Sequence, residues 1–246
     1  MEVAGVDYDT GTMTTHFKML ATSIARSRWS ARALIAVWAL AAGWLWWETV
    51  RYEFATSDSS VANFAAAWPG GSALVASADR PTLLLFIHPK CPCTRATLSE
   101  LDRLLTRLDR ENIEHPHVAI VAAIPAVAEA DWLNTPIMER ANRLATTEIY
   151  LDRGGSEAEN FGVTTSGTAM LFDTTGGCQF AGGLTASRGH EGDSAGVDAL
   201  ASLLAGFESA NRRLPVFGCR LYLPPDTPRH VKFSGPPSQV ASGYGS

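Results

Sequence analysis

One junction constrains this chain more than any other. The stretch Thr82-Leu83-Leu84-Leu85-Phe86-Ile87-His88 runs straight into Pro89-Lys90-Cys91-Pro92-Cys93-Thr94. Leu98, Leu101, Leu104, Leu105 and Leu108 then recur at helical spacing. A strand apolar at successive positions must be covered on both faces, which is the habit of a parallel strand inside an α/β sheet. Two thiols therefore sit where a buried strand ends and an amphipathic helix begins. Free N–H groups and a partial positive charge at a helix start favour thiolate over thiol. The thiolate is the form that attacks disulfides and binds metals.

The same pattern continues downstream. His117 to Ile124 is a second apolar strand, and Trp132 to Leu144 reads as a helix with an irregular start, because Pro136 lies in it. Glu148 to Leu151 is a short strand and Ser156 to Phe161 a short helix ended by Gly162. Thr168 to Asp173 and Cys178 to Gly182 flank Thr174-Thr175-Gly176-Gly177, a hairpin signal. Ser194 to Ser209 reads as a last helix with Val197, Leu200, Leu203, Leu204 and Phe207 on one face. The order β-α-β-α-β-α-β-β-α predicts a three-layer α/β/α domain with a mixed sheet over residues 55–222. Residues 55–80 read as a tether with one short helix, Val61 to Trp68, and residues 223–246 as a disordered tail rich in Pro, Gly and Ser.

The N-terminal segment bears on compartment. Ala33 to Trp47 carries no charge, Lys18, Arg26, Arg28 and Arg32 precede it, and Trp44, Trp46 and Trp47 close it. Basic flank, apolar run and aromatic belt match a membrane helix with a cytoplasmic N-terminus. The run is short against the ~20 residues a span needs. Arg32 snorkelling and the flanks bring the anchor to residues 29–54, after a cytoplasmic tail of residues 1–28. A signal peptide cleaved near Ala41-Ala42-Gly43 is the competing reading. The tryptophans beyond that site favour an uncleaved anchor. A single-pass protein of the inner membrane follows, its domain facing the periplasm or exterior, where disulfides persist. The net charge of −5 and the lack of a basic stripe exclude a nucleic-acid partner. Four cysteines are too few for a disulfide-built scaffold of 246 residues.

The element order with a cysteine pair at the first strand-to-helix junction resembles the thioredoxin-like superfamily over about residues 75–210. Cys91 follows Phe86 at the family's strand-to-nucleophile spacing. Phe161-Gly162-Val163-Thr164-Thr165-Ser166-Gly167-Thr168 is similar to the family's second active-site segment. A tethered domain of this kind resembles the extracytoplasmic proteins of cytochrome maturation. The Cys-Pro-Cys turn, Gly182-Gly183-Leu184-Thr185 and Arg188-Gly189-His190-Glu191-Gly192-Asp193 resemble the RedB-like branch. Two departures stand out. Only Pro92 separates the thiols, where the family has two residues. Gly167, after Ser166, takes the place of the family's cis-proline, which shapes the substrate groove and keeps metals off the cysteines. The resemblance thus implies a thiol site of Cys91, Pro92 and Cys93, lined by Ser166 and Gly167, and more open to metal than usual.

Cys91, beside Lys90 and near Arg95, is the expected nucleophile, and Cys93 the expected resolving thiol. A bridge between residues two apart strains the preferred disulfide geometry and should be easily reduced. His88 stands three residues before Cys91, and His190 lies in the Gly-rich loop, either as metal ligands, as a proton carrier in the case of His190, or as a strand-end cap and a solvated loop residue. Asp193 would cap the last helix. Cys178 and Cys219 are candidates for a structural disulfide. A redox role for a third thiol has no support in the sequence. Three functions remain open. The first is a membrane-anchored thiol–disulfide oxidoreductase acting on protein thiols or disulfides, fed by a membrane electron donor or a small thiol and needing no cofactor. The second is a copper-delivery module holding the metal on Cys91, Cys93 and His190. The third is a non-catalytic interaction domain.

Overall fold

The computed structural model describes residues 10–54, 64–128, 130–144 and 147–221. Residues 1–9 of the expected N-terminal tail, residues 55–63 of the tether and the whole C-terminal tail lie outside those residues. The N-terminal unit is one helix, α1 (Thr10–Glu53). Its segment Trp29–Glu53 has a mean hydropathy of 1.4 and no buried residue in the window that carries it. At 1.5 Å per residue its 25 residues reach roughly 38 Å, enough for the ~30 Å of a bilayer's hydrocarbon core. Among the described residues it is the one helix long and apolar enough to cross a membrane. The helix begins well before Trp29, inside the stretch read as a tail.

The second unit follows the expected order: β1 (Thr82–Ile87), α2 (Thr94–Glu111), β2 (His117–Ile124), α3 (Pro136–Arg143), β3 (Thr147–Arg153), α4 (Ser156–Asn160), β4 (Thr168–Phe172), β5 (Cys178–Gly183) and α5 (Ala195–Leu204). The sheet runs β3-β2-β1-β4-β5. β1 pairs parallel with β2, opposite Leu85↔Ile120, and antiparallel with β4, opposite Leu85↔Ala169. β1 is thus the central strand, which is why all six of its residues are buried.

Alternation along β1 divides the core. Leu83, Leu85 and Ile87 meet the leucines of α2, Ile137 and Met138 of α3, and Val197 and Leu200 of α5. Leu84 and Phe86 face the other side, with Phe161, Val163, Phe172, Val216 and Leu221. That second face is covered by the single short helix α4 and by extended chain. Phe161 is its hub, with ring centroids 5.2 Å from Trp68, 5.6 Å from Phe86 and 5.6 Å from Phe172. Asp152, 1% exposed, holds α4 in place by accepting from the N–H groups of Glu157 (3.0 Å) and Ala158 (2.9 Å). Burial raises the Asp152 carboxyl above its ordinary range, against those two donors.

Three expectations need correction. Pro136 does not interrupt a helix but opens one: Thr135 caps α3, accepting from the Met138 N–H at 3.2 Å, and Pro136 takes the first turn, where its missing N–H costs nothing. A short 3-10 turn, Ala130–Trp132, precedes it. The last helix stops at Leu204 rather than Ser209, because Gly206 (φ +81) turns left-handed. Phe207, expected on the buried face, is 69% exposed. Of the expected helix Val61 to Trp68, the described part is extended, and Ala67 bridges to Gly177 beside the hairpin.

Phe161→Ala removes the hub of the second core and should cost about 3–5 kcal/mol of unfolding free energy. Phe207→Ala should change it by less than ~0.5 kcal/mol. Denaturant unfolding followed by circular dichroism checks both, and a small loss for Phe161→Ala would contradict the packing described.

Candidate active site

The turn after β1 is built by backbone hydrogen bonds. The Cys91 N–H donates to the His88 carbonyl (2.9 Å) and the Thr94 N–H to the Cys91 carbonyl (3.1 Å). Cys93 sits at the N-cap of α2 in αR conformation and makes no side-chain cap. Cys91 therefore lies under the helix start, 1% exposed, whereas Cys93 is half-buried and Pro92 exposed. The amide and the hydroxyl of Thr94, the first residue of α2, both hydrogen-bond the Cys91 sulfur. This is the helix-start effect expected from the sequence, delivered by one residue.

The second donor to Cys91 is Cys219. Its thiol and its backbone N–H both hydrogen-bond the Cys91 sulfur. Burial pushes the Cys91 thiol up, but the donors of Cys219 and Thr94 outweigh it and hold the thiol below its ordinary value. Burial raises Cys93, and the neighbouring Cys91 charge adds to it, against a nearby Arg188. Cys219 is pushed up to about 12, by burial first and then by its hydrogen bond to Cys91 and the charges of Cys91 and Cys93. The three thiols form one electrostatic unit in which Cys91 is the preferred thiolate.

Cys219 arrives on a strip of chain paired edge to edge with the segment before β4. The Ser166 N–H donates to the Cys219 carbonyl (2.8 Å), the Leu221 N–H to the Thr164 carbonyl (2.8 Å), and Thr165 bridges antiparallel to Arg220. Gly218 permits this approach, since a Cβ there would lie 1.9 Å from the Ser166 carbonyl oxygen. Gly167, at φ +93, turns the chain into β4, and its N–H donates to the Phe86 carbonyl (2.8 Å). The Ser166 hydroxyl accepts from the His88 N–H (2.9 Å) and shares a 2.8 Å hydrogen bond with Thr94. Ser166 and Gly167 thus knit the end of β1, the start of α2 and the Cys219 strip together. Their free edge is filled by the chain itself rather than left as an open groove.

The remaining expected site residues fall in different places. The Cys178 thiol lies 3.3 Å from the Phe180 carbonyl and 3.4 Å from an Arg213 nitrogen, away from the Cys91 cluster. The Cys178–Cys219 pairing is therefore corrected: both cysteines are free, and Cys219 lies with Cys91 and Cys93, because the strip turns in toward Cys91. Lys90 and Arg95 are engaged with other partners. Lys90 pairs with Asp131 and lies 4.5 Å over the Trp132 ring, and Arg95 reaches Glu191 at 3.9 Å. The cation at the thiols comes from the Gly-rich loop instead. Arg188 donates to the Gly218 carbonyl (2.6 Å) and hydrogen-bonds Cys93. That loop is tied to α2 where the Gly192 N–H donates to Glu100 (2.8 Å).

His190 is exposed, and its ring lies over Gly192. His88 is half-buried, with its Nδ1 accepting from the Lys90 N–H (3.1 Å) and its ring 5.2 Å from that of Trp132. Burial lowers the pKa of His88, opposed by a backbone hydrogen bond and helped by Lys90, so its neutral form is favoured. Among the described residues no group of three or more His, Cys, Asp or Glu side chains is arranged to hold a metal ion. The helix α5 is capped by Ser194, which accepts from Gly196 (3.2 Å), and not by Asp193.

Titrating the thiols by their ultraviolet thiolate absorbance should show the first ionisation below the ordinary thiol value of about 8.5. Loss of Cys91 should remove that step. Thr94→Ala should move it up, because two donors become one. A first step at or above the ordinary value would contradict the hydrogen-bonding described.

No protein-family model matches the sequence, and no curated protein matches it. Among solved structures, an uncharacterised conserved protein from Geobacillus kaustophilus superposes with a TM-score of 0.51 at 17% identity, covering 66% of this chain and 94% of that one. A hypothetical protein from Sinorhizobium meliloti gives 0.46 at 18% identity, over 65% and 95% of the two chains. A secreted disulfide oxidoreductase of Mycobacterium tuberculosis gives 0.35 at 13% identity, over 52% and 82%. The central β1 flanked by parallel β2 and antiparallel β4, with thiols at the β1–α2 junction, gives this chain the thioredoxin-like fold.

Proposed function

We propose that the protein is a thiol–disulfide oxidoreductase acting on protein thiols or disulfides, with Cys91 as the reacting thiolate. One observation carries this reading: a buried sulfur receives hydrogen bonds from Thr94 and Cys219 and is held below its ordinary pKa. A cysteine kept only for packing gains nothing from such donors, and burial in apolar surroundings alone would make it inert. Exchange is a nucleophilic displacement: the Cys91 thiolate attacks one sulfur of a disulfide, a mixed disulfide forms, and the other sulfur leaves as thiolate. A second thiol of the protein then displaces the remaining half. No cofactor is needed.

The apolar segment Trp29–Glu53 serves as an anchor that keeps the domain outside the cytoplasm. The Cys-Pro-Cys turn and the loop Arg188 to Asp193 are the grounds for placing the chain near the RedB-like branch. Electrons then come from a membrane donor or a small extracytoplasmic thiol. Copper delivery through Cys91, Cys93 and His190 would require the loop to carry His190 inward from its exposed position.

The full chain, purified in detergent, should catalyse exchange between glutathione and a protein disulfide. Cys91→Ser should reduce that rate by about a hundredfold or more, as loss of a reacting group does. An unchanged rate would remove Cys91 from the chemistry. Uptake of Cu(I) by reduced protein with no exchange activity would replace the oxidoreductase with a metal carrier.

A further inference from the structure

We propose that Cys219 is the resolving thiol of this site, so that its oxidised state is a Cys91–Cys219 disulfide in which Cys93 remains a thiol. The proposal rests on the thiol–disulfide reading and adds the partner on which it turns. Two independent observations support it. The first is the placement of the strip. Ser166, Thr164 and Arg188 hold the backbone on both sides of Cys219 through the 2.8 Å, 2.8 Å and 2.6 Å hydrogen bonds to Cys219, Leu221 and Gly218. Cys219 is thereby seated against Ser166, whose hydroxyl bonds the His88 N–H (2.9 Å) and Thr94 (2.8 Å) on either side of Cys91 in the chain, and its N–H and thiol reach the Cys91 sulfur. Gly218 has no Cβ because the Ser166 carbonyl occupies that space. The strip is therefore seated against the segment beside Cys91 along its backbone, and a bond between the two sulfurs leaves those hydrogen bonds in place.

The second observation concerns Cys93. Cys91 to Thr94 is already a hydrogen-bonded turn that passes into α2, and the amides of Ala96 and Thr97 bond the Cys93 carbonyl at 3.1 and 3.4 Å. The Cys93 thiol also reaches the Cys91 sulfur, but a bond between residues two apart closes a ring too small for the preferred disulfide geometry. The fixed φ of Pro92 leaves that ring little freedom to relax without disturbing the turn that opens α2. A thiol from another strand closes the ring without that distortion.

The exchange balances as follows. Local opening of residues 218–221 releases the two edge hydrogen bonds and admits a substrate disulfide to Cys91. The Cys91 thiolate attacks one substrate sulfur, the substrate S–S bond breaks, and the first substrate thiolate leaves. The strip returns, and the Cys219 sulfur attacks the Cys91 sulfur of the mixed disulfide. The Cys219 proton passes to the second substrate sulfur as it leaves. Two electrons move from Cys91 and Cys219 to the substrate disulfide, which becomes one thiolate and one thiol, the thiolate taking its proton from water. The reverse sequence oxidises a substrate dithiol. The high value of Cys219 belongs to the resting state. Burial persists, but the hydrogen bond to a charged Cys91 vanishes once that sulfur is in a disulfide, and Arg188 remains to favour the Cys219 thiolate.

Disulfide mapping tests this. Reduced full-length protein is exposed to oxidised glutathione, alkylated and digested with trypsin without reduction. Cleavage after Lys90, Arg95, Arg213 and Arg220 puts Cys91 and Cys93 in peptide 91–95 and Cys219 in peptide 214–220. The expected product joins the two peptides and carries one alkylated thiol. Cys93→Ser should retain the cross-link. Cys219→Ser should accumulate a glutathione adduct on peptide 91–95, rising from trace to about one per chain. A bridge confined to peptide 91–95, with Cys219 alkylated, overturns the proposal while leaving the oxidoreductase reading standing. Loss of the cross-link in Cys93→Ser also overturns it, because Cys93 would then be the partner. Three thiols that neither cross-link nor take up glutathione overturn both. Mapping of the native protein and of Cys93→Ser decides the matter if Cys219→Ser does not fold.

Discussion

The chemistry of this domain depends on one sulfur and the groups that donate to it. Cys91 lies at the end of the central strand, beneath the first turn of α2, and takes hydrogen bonds from Thr94 and from Cys219. The fold supplies both. The strand ends here because Pro89 follows it, and the helix begins at Thr94, whose amide donates to the Cys91 carbonyl (3.1 Å) and also reaches the Cys91 sulfur. The apolar faces of β1 fix the height of that sulfur relative to both layers: Leu85 and Ile87 bind it to α2, while Phe86 binds it to the Phe161 cluster.

The second donor requires a longer assembly. The strip after α5 must run back across the sheet, and it does so because Leu214 and Ala181 share a backbone hydrogen bond (3.2 Å) and Val216 and Leu221 are buried in the Phe161 cluster. Gly218 lets it close on Ser166, and Arg188 clamps it from the loop after β5. The Gly-rich loop thus has a structural role in this assembly. It brings one guanidinium to the thiols and is itself tied down by the buried Glu100 carboxylate.

Local signals in the sequence carried the strands, α2, the hairpin and the Cys91–Cys93 turn, because continuous apolar runs, leucines at helical spacing and Gly-rich turns act within a few residues. Two boundaries differ from the periodic pattern where a single residue decides: Pro136 at a helix start and Gly206 at a helix end, both of which follow capping chemistry beside Thr135 and Ala205. The place of Cys219 is not legible locally, because no pattern within a few residues says where an extended strip docks. The signal that could have found it is Gly218-Cys219 itself, a glycine before a thiol just beyond Pro215, the mark of backbone closely approaching another segment. In the sequence Arg188 is only part of a charged loop, since its reach to Cys93 depends on tertiary placement.

The most direct test of the central claim is a count of thiols against redox poise. The full chain, with its four cysteines, is equilibrated with glutathione buffers of graded ratio, alkylated and weighed intact. The account predicts one reversible transition in which two alkylatable thiols disappear together, and which is absent in Cys91→Ser. Four thiols alkylated at every ratio, or single glutathione adducts that grow independently, would contradict it.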